Sequence, residues 1–99
     1  MGVKINRQRK EVYRMSGYSQ EQLKVIFAKG EIISGKDKDL YRKDAEGNVI
    51  YFHSYGLETE MGWEVDHEYP KAKGGSNRLS NLQPLQSSEN ARKGDKYPY

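Results

Sequence analysis

Asp66 and His67 stand side by side within the stretch Trp63-Glu64-Val65-Asp66-His67-Glu68-Tyr69-Pro70. Trp63, Val65 and Tyr69 give the stretch the alternation of a short strand with one inward face. Consecutive residues on a strand point to opposite sides, so the pair offers a carboxylate on one side and an imidazole on the other. Phosphodiester hydrolysis needs that division: a base activates water on one side of the phosphorus, and the leaving oxygen departs in line on the other. Asp66 together with Asn90 would supply carboxylate and amide oxygens, hard ligands suited to Mg²⁺ or Mn²⁺, whereas zinc would prefer more nitrogen or sulfur. Asp66 can then hold an ion near the leaving oxygen while His67 reaches the water. Each residue also has a plainer reading. Asp66 could accept hydrogen bonds from a loop backbone, Asn81 and Asn90 could be ordinary loop and helix-start residues, and a single histidine is structural more often than catalytic. Glu64 and Glu68 flank the pair and read as solvent-facing carboxylates that could also coordinate a metal.

The elements that must position these residues follow from local pattern. Ser19 followed by Gln22 fits a capping box, and Leu23, Ile26 and Phe27 form an apolar stripe at helical spacing that belongs to a core. Gly30 is expected to end this helix. Leu40-Tyr41-Arg42-Lys43-Asp44 and Val49-Ile50-Tyr51-Phe52-His53 flank Ala45-Glu46-Gly47-Asn48, the pattern of a β-hairpin with a glycine-bearing turn. His53 falls in its second strand and reads as a structural or exposed residue. Beyond the Asp-His strand, Pro70 stops the strand and Gly74-Gly75-Ser76-Asn77 makes a loop able to bend sharply. Leu79, Leu82 and Leu85 are spaced to seat that loop on a core, and Pro84 keeps any strand here at an edge. Ser87 or Ser88 is placed to cap a short helix that Gly94 ends after about two turns. Such a helix is too small to be stable alone, so something must hold it.

Ninety-nine residues make one small domain. With 34% of residues hydrophobic and 31% charged the core must be lean, and eight tyrosines help to cover it. The absence of cysteine excludes disulfides and cysteine-bound zinc. No run approaches the roughly 18 apolar residues of a membrane helix, and no apolar segment follows the start. A cytoplasmic protein with no membrane partner is the default expectation, with export without a signal peptide left open. Lys4, Arg7, Arg9, Lys10 and Arg14 face Glu11 alone in the first 14 residues, and Lys71, Lys73, Arg78, Arg92, Lys93 and Lys96 group around the later loops. Such clusters suit a phosphate backbone; the plainer reading is a solubilising surface with a frayed N-terminal tail.

In this order, Asp66-His67, Pro70, Gly74-Gly75, Asn81-Leu82, Pro84-Leu85, Asn90 and Lys93-Gly94-Asp95 resemble the HNH endonuclease family, whose members use the ββα-metal (His-Me finger) fold. The motif covers residues 63–96, about a third of the chain. The segment from Lys29 to Gly56 is similar to the hairpin that precedes the motif in some bacterial and phage members. The resemblance implies an α+β fold: an N-terminal helix and β-hairpin followed by a ββα-metal module over residues 63–96. Residues 1–99 would form one domain, with 1–16 as a basic, flexible tail. It implies His67 as general base, Asp66 and Asn90 as ligands of one divalent ion, and Asn81 as the residue that holds the histidine-bearing loop. Water and phosphate oxygens would complete the coordination. Lys93, one turn after Asn90 on the same helix face, is placed to contact a phosphate, with Arg92 and Lys96 as weaker candidates. Lys71 and Lys73 could grip the same backbone.

Many relatives carry paired cysteines around the motif that bind a structural zinc. Here Ser87 and Ser88 stand at the flanking positions, so no structural zinc is expected and the hairpin and aromatic residues must brace the loop. Some relatives place another histidine one turn after the third motif position, where this chain has Gly94; that favours Mg²⁺ or Mn²⁺. The expected function is therefore a metal-dependent DNA endonuclease in a bacterial or phage-infected cell, with a homodimer or a larger phage or bacterial assembly left open. No base-reading element is evident, so little sequence preference is expected. The rival reading is a non-catalytic nucleic-acid-binding module of the same fold, whose binding would survive chelation. A third is a structural or partner-binding protein with an incidental basic surface.

Overall fold

The computed structural model describes residues 17–99; the basic segment read as a tail, residues 1–16, lies outside the described residues. The capping box forms as its sequence requires. The Gln22 backbone N–H donates to the Ser19 hydroxyl at 3.1 Å, and the Ser19 N–H donates to the Gln22 side chain at 2.9 Å. Two of the donors that a helix start leaves open are thereby satisfied. Helix α1 (Gln20–Phe27) then buries Leu23, Ile26 and Phe27. It ends on Ala28, not at Gly30. Gly30 has a different duty, since a Cβ there would lie 2.8 Å from the Arg42 Cβ and 2.9 Å from the Lys43 carbonyl oxygen. Glycine here permits close approach of two backbones.

Strands β1 (Glu31–Ile32), β2 (Tyr41–Lys43) and β3 (Val49–Tyr51) form an antiparallel sheet in that order. The expected hairpin is β2–β3, with Tyr41 opposite Tyr51 and Lys43 opposite Val49. The two exposed residues of β1 add a third strand that local pattern does not announce. His53 lies just past the hairpin and not within its second strand. It sits in a 3-10 turn over Phe52–Ser54, its ring edge-on to Tyr51 and Phe52.

The second sheet is the antiparallel ribbon of β4 (Trp63–His67) and β5 (Leu82–Gln86). Its register sets Trp63 against Gln86, Asp66 against Gln83 and His67 against Leu82. Alternation divides the ribbon into two faces. Trp63, Val65 and Leu82 turn to the core made with Leu23, Ile26, Phe27, Ile50, Phe52 and Tyr55. There the Phe27 ring lies 5.2 Å from Trp63, and the Trp63 indole N–H donates to the Phe52 carbonyl at 3.1 Å. The other face carries Glu64, Asp66, Gln83 and Leu85, and helix α2 (Ser87–Lys93) packs over this ribbon. Of the three leucines expected to seat the loop, Leu82 and Leu85 are buried, whereas Leu79 is 47% exposed in a 3-10 turn. Among the described residues no helix is long and apolar enough to cross a membrane.

Helix α2 is capped by Gln86 and not by either serine: the Glu89 N–H donates to the Gln86 side-chain oxygen at 3.0 Å. Both hydroxyls are engaged elsewhere, Ser87 on the Leu57 carbonyl at 2.7 Å and Ser88 on the Gln86 side chain. Gly94 ends the helix, its N–H donating to the Asn90 carbonyl at 3.1 Å.

One buried carboxylate joins the two sheets. Asp44, 4% exposed, accepts from the backbone N–H groups of Glu46 at 3.0 Å and Asn48 at 2.8 Å, and from that of Gln86 at 2.9 Å. It shapes the hairpin turn and pins the start of α2 together. Asp44→Ala strands two part-buried donors in the turn and the buried Gln86 N–H, so chemical denaturation should show a loss of about 2–4 kcal/mol. A loss within experimental error would mean that the two sheets are joined by apolar contact alone.

Candidate active site

At the end of β4, Asp66 faces α2 and is 5% exposed. The Gln83 side-chain amide, directly across the ribbon, donates to its Oδ2 at 2.9 Å. The Lys93 ammonium lies 3.2 Å from its Oδ1 and donates to the His67 carbonyl at 3.0 Å. Lys93, expected to contact a phosphate beside the metal, is 2% exposed and turned toward Asp66. A buried ammonium is tolerated only when paired and hydrogen-bonded; the carboxylate and carbonyl at the strand end do both.

His67 is half-buried and belongs to the opposite face of the strand. Its Nε2 lies 2.8 Å from the Asn77 side-chain oxygen. The loop that carries Asn77 is drawn in by Asn81. The Asn81 Oδ1 accepts from the Tyr69 N–H at 2.8 Å, while its Nδ2 donates to the carbonyls of Tyr69 at 3.0 Å and Ser76 at 2.8 Å. The Asn81 carbonyl also accepts from the Glu68 N–H at 2.8 Å. One side chain therefore ties the residues after His67 to the far side of the loop. Gly75 completes the closure, because a Cβ there would fall 1.7 Å from the Tyr69 carbonyl oxygen.

Asp66, His67 and Asn90 line one open cavity of about 300 Å³, together with Lys71 and Asp95. Asn90 is half-buried on α2. Carboxylate and amide oxygens on a shared wall form a donor set that suits a small hard cation. The protein's own ammonium, drawn to Asp66, already shows that the position attracts positive charge. Among the described residues no three His, Cys, Asp or Glu side chains converge; Asp66, Asn90 and Asp95 bring side-chain oxygens to this cavity.

Of the remaining expected site residues, Lys71 reaches the cavity and Lys73, Arg92 and Lys96 are not on its lining. Lys71 and Lys73 are exposed in a 3-10 turn at the loop entrance, and Lys96 is exposed beyond α2. Arg92 is exposed but shares its charge with Glu89 at 3.2 Å. Glu68 faces solvent as expected, whereas Glu64 is half-buried. Its burial, reinforced by the Glu58 charge, pushes the Glu64 carboxyl above the ordinary carboxylate range. Residues that sequence reasoning missed are Asn77, Gln83 and the inward role of Lys93. Gln83 was findable once a β4–β5 register was drawn. Asn77 gave no local signal beyond its place in a glycine-rich loop.

Residues 56–99 match a family model described as HNH endonuclease. The match takes in β4, β5 and α2 and leaves out α1 and the three-stranded sheet. No curated protein and no solved structure matches the chain significantly.

The ion pair makes a stability prediction that is independent of any reaction. Lys93→Met leaves a buried carboxylate without its cation and should cost about 3–5 kcal/mol in urea denaturation. The double variant Asp66→Leu with Lys93→Met removes both charges and should recover much of that loss. Additive losses would show that the two side chains do not act as a pair.

Proposed function

We propose that this chain carries a metal-dependent DNA endonuclease centre of the ββα-metal type, built from β4, β5 and α2. The observation that carries the reading is the single cavity lined by Asp66, His67 and Asn90, inside the segment that matches the HNH endonuclease family. His67 is the general base, half-exposed at the cavity wall where a water can reach its ring. Asp66 and Asn90 hold one divalent ion, Mg²⁺ or Mn²⁺. When bound, that ion supplies Lewis-acid stabilisation of the charge that builds on the phosphate and leaving oxygen. Asn81 keeps the backbone after His67 in one conformation, so the imidazole meets the phosphate from a fixed direction.

Substrate binding falls to the exposed cations. Lys71, Lys73 and Lys96 grip the phosphate backbone, with Arg92 a weaker contributor because Glu89 already shares its charge. Contacts of this kind carry no base identity, so affinity is expected to fall with salt and to depend little on sequence. Lys93 keeps Asp66 paired and aimed along the strand end.

The same ion pair favours a second reading. A carboxylate already matched by an ammonium needs no metal, as would suit a non-catalytic nucleic-acid-binding module. Supercoiled-plasmid cleavage separates the two, using wild type and His67→Ala with Mg²⁺, Mn²⁺ or EDTA. Wild type should nick with metal and stop with EDTA, and His67→Ala should lose at least about 100-fold in rate, the scale of a general base. Tight DNA binding with no cleavage in either metal would support the binding module and overturn the nuclease.

A further inference from the structure

We infer that Asn77 is a positioning residue that holds His67 as its Nε2–H tautomer, which makes Nδ1 the nitrogen free to take a proton. The contact is direct: His67 Nε2 stands 2.8 Å from Asn77 Oδ1. An amide oxygen has no hydrogen to give, so in this bond the imidazole is the donor. A neutral imidazole carries one proton, and with that proton on Nε2 the lone pair lies on Nδ1. The bond also fixes the direction in which Nδ1 points, because the ring is held at its far nitrogen.

Asn77 can do this only because its loop cannot drift. Asn81 Nδ2 holds the Ser76 carbonyl at 2.8 Å, one residue before Asn77, and the Arg78 N–H donates to the Ser76 hydroxyl at 3.3 Å, one residue after. The Gly75 N–H donates to the Pro70 carbonyl at 2.9 Å, and its missing Cβ leaves room for the Tyr69 carbonyl. A relay results: Asn81 and Gly75 fix the loop, the loop presents Asn77, and Asn77 fixes the imidazole. The Asn81 side chain spends its hydrogen bonds on Tyr69 and Ser76, so Asn77 is the hydrogen-bonded link by which the loop clamp reaches His67.

The catalytic consequence rests on reading His67 as a base; the tautomer does not. The test therefore has two readouts. In ¹⁵N-detected NMR of the histidine rings, recorded above the imidazole titration range, wild-type His67 should show a protonated Nε2 and a bare Nδ1. Asn77→Leu should move both shifts toward those of a tautomer mixture, and Asn77→Asp, which keeps an acceptor oxygen, should restore them. In DNA cleavage, Asn77→Leu should lower kcat about 10- to 100-fold, the usual cost of losing a group that orients a functional side chain, with KM for DNA unchanged. A protonated Nδ1 in wild type, or identical ring shifts in Asn77→Leu, would overturn the inference. The expected shifts with no cleavage by any protein would leave the tautomer assignment standing and sink the nuclease reading instead.

Discussion

The ion pair between Asp66 and Lys93 is the interaction on which the C-terminal half of this protein depends. Helix α2 has seven residues, well below the length at which a helix is stable in water. Its last turn is held because the buried Lys93 ammonium ends between the Asp66 carboxylate and the His67 carbonyl at the end of β4. Its first turn is held by Gln86, whose backbone N–H is in turn fixed by Asp44 from the hairpin. Polar groups at both ends thus replace the apolar stripe that longer helices use, as a chain with so lean a core requires.

That constraint also makes the candidate centre. Pinning α2 across the end of β4 brings Asn90 to the wall that Asp66 and His67 occupy. Strand alternation then does the rest, giving the carboxylate to the helix side and the imidazole to the loop side. The two sides are stabilised separately: Asp66 by Gln83 and Lys93, and His67 by Asn77. The three-stranded sheet and α1 contribute indirectly. The Lys29 ammonium reaches the carbonyls of Leu79 and Leu82 and so braces the loop where it returns into β5. In a chain without cysteine, this bracing takes the place that a structural metal holds in other small folds.

The legible parts of the sequence were those written in local chemistry. Ser19 and Gln22 marked a helix start because both partners of the capping box lie within one turn, and Gly47 marked the hairpin turn. Asp66 and His67 were conspicuous because their types and adjacency are unusual on a strand. The illegible parts depend on residues far apart in sequence. Lys93 has the spacing of a solvent-facing lysine, and only a carboxylate 27 positions earlier turns it inward. Ser87 and Ser88 have better capping chemistry than Gln86, but Leu57 and the Gln86 side chain claim their hydroxyls. Asn77 is one polar residue among several in its loop, and nothing local distinguishes it from Ser76 or Arg78. Gly30 resembled a helix stop because the strand that approaches it begins eleven residues later.

If one strand end splits its duties, metal to Asp66 and proton transfer to His67, then Mn²⁺ binding followed by electron paramagnetic resonance should tell the two residues apart. His67→Ala should bind Mn²⁺ as wild type does, while Asp66→Asn and Asn90→Ala should each weaken binding at least about tenfold. Asn90→Ala matters most among these because it leaves the Lys93 pair intact. Undiminished binding in both Asp66→Asn and Asn90→Ala, or its loss in His67→Ala, would mean that the strand end does not divide its duties in this way.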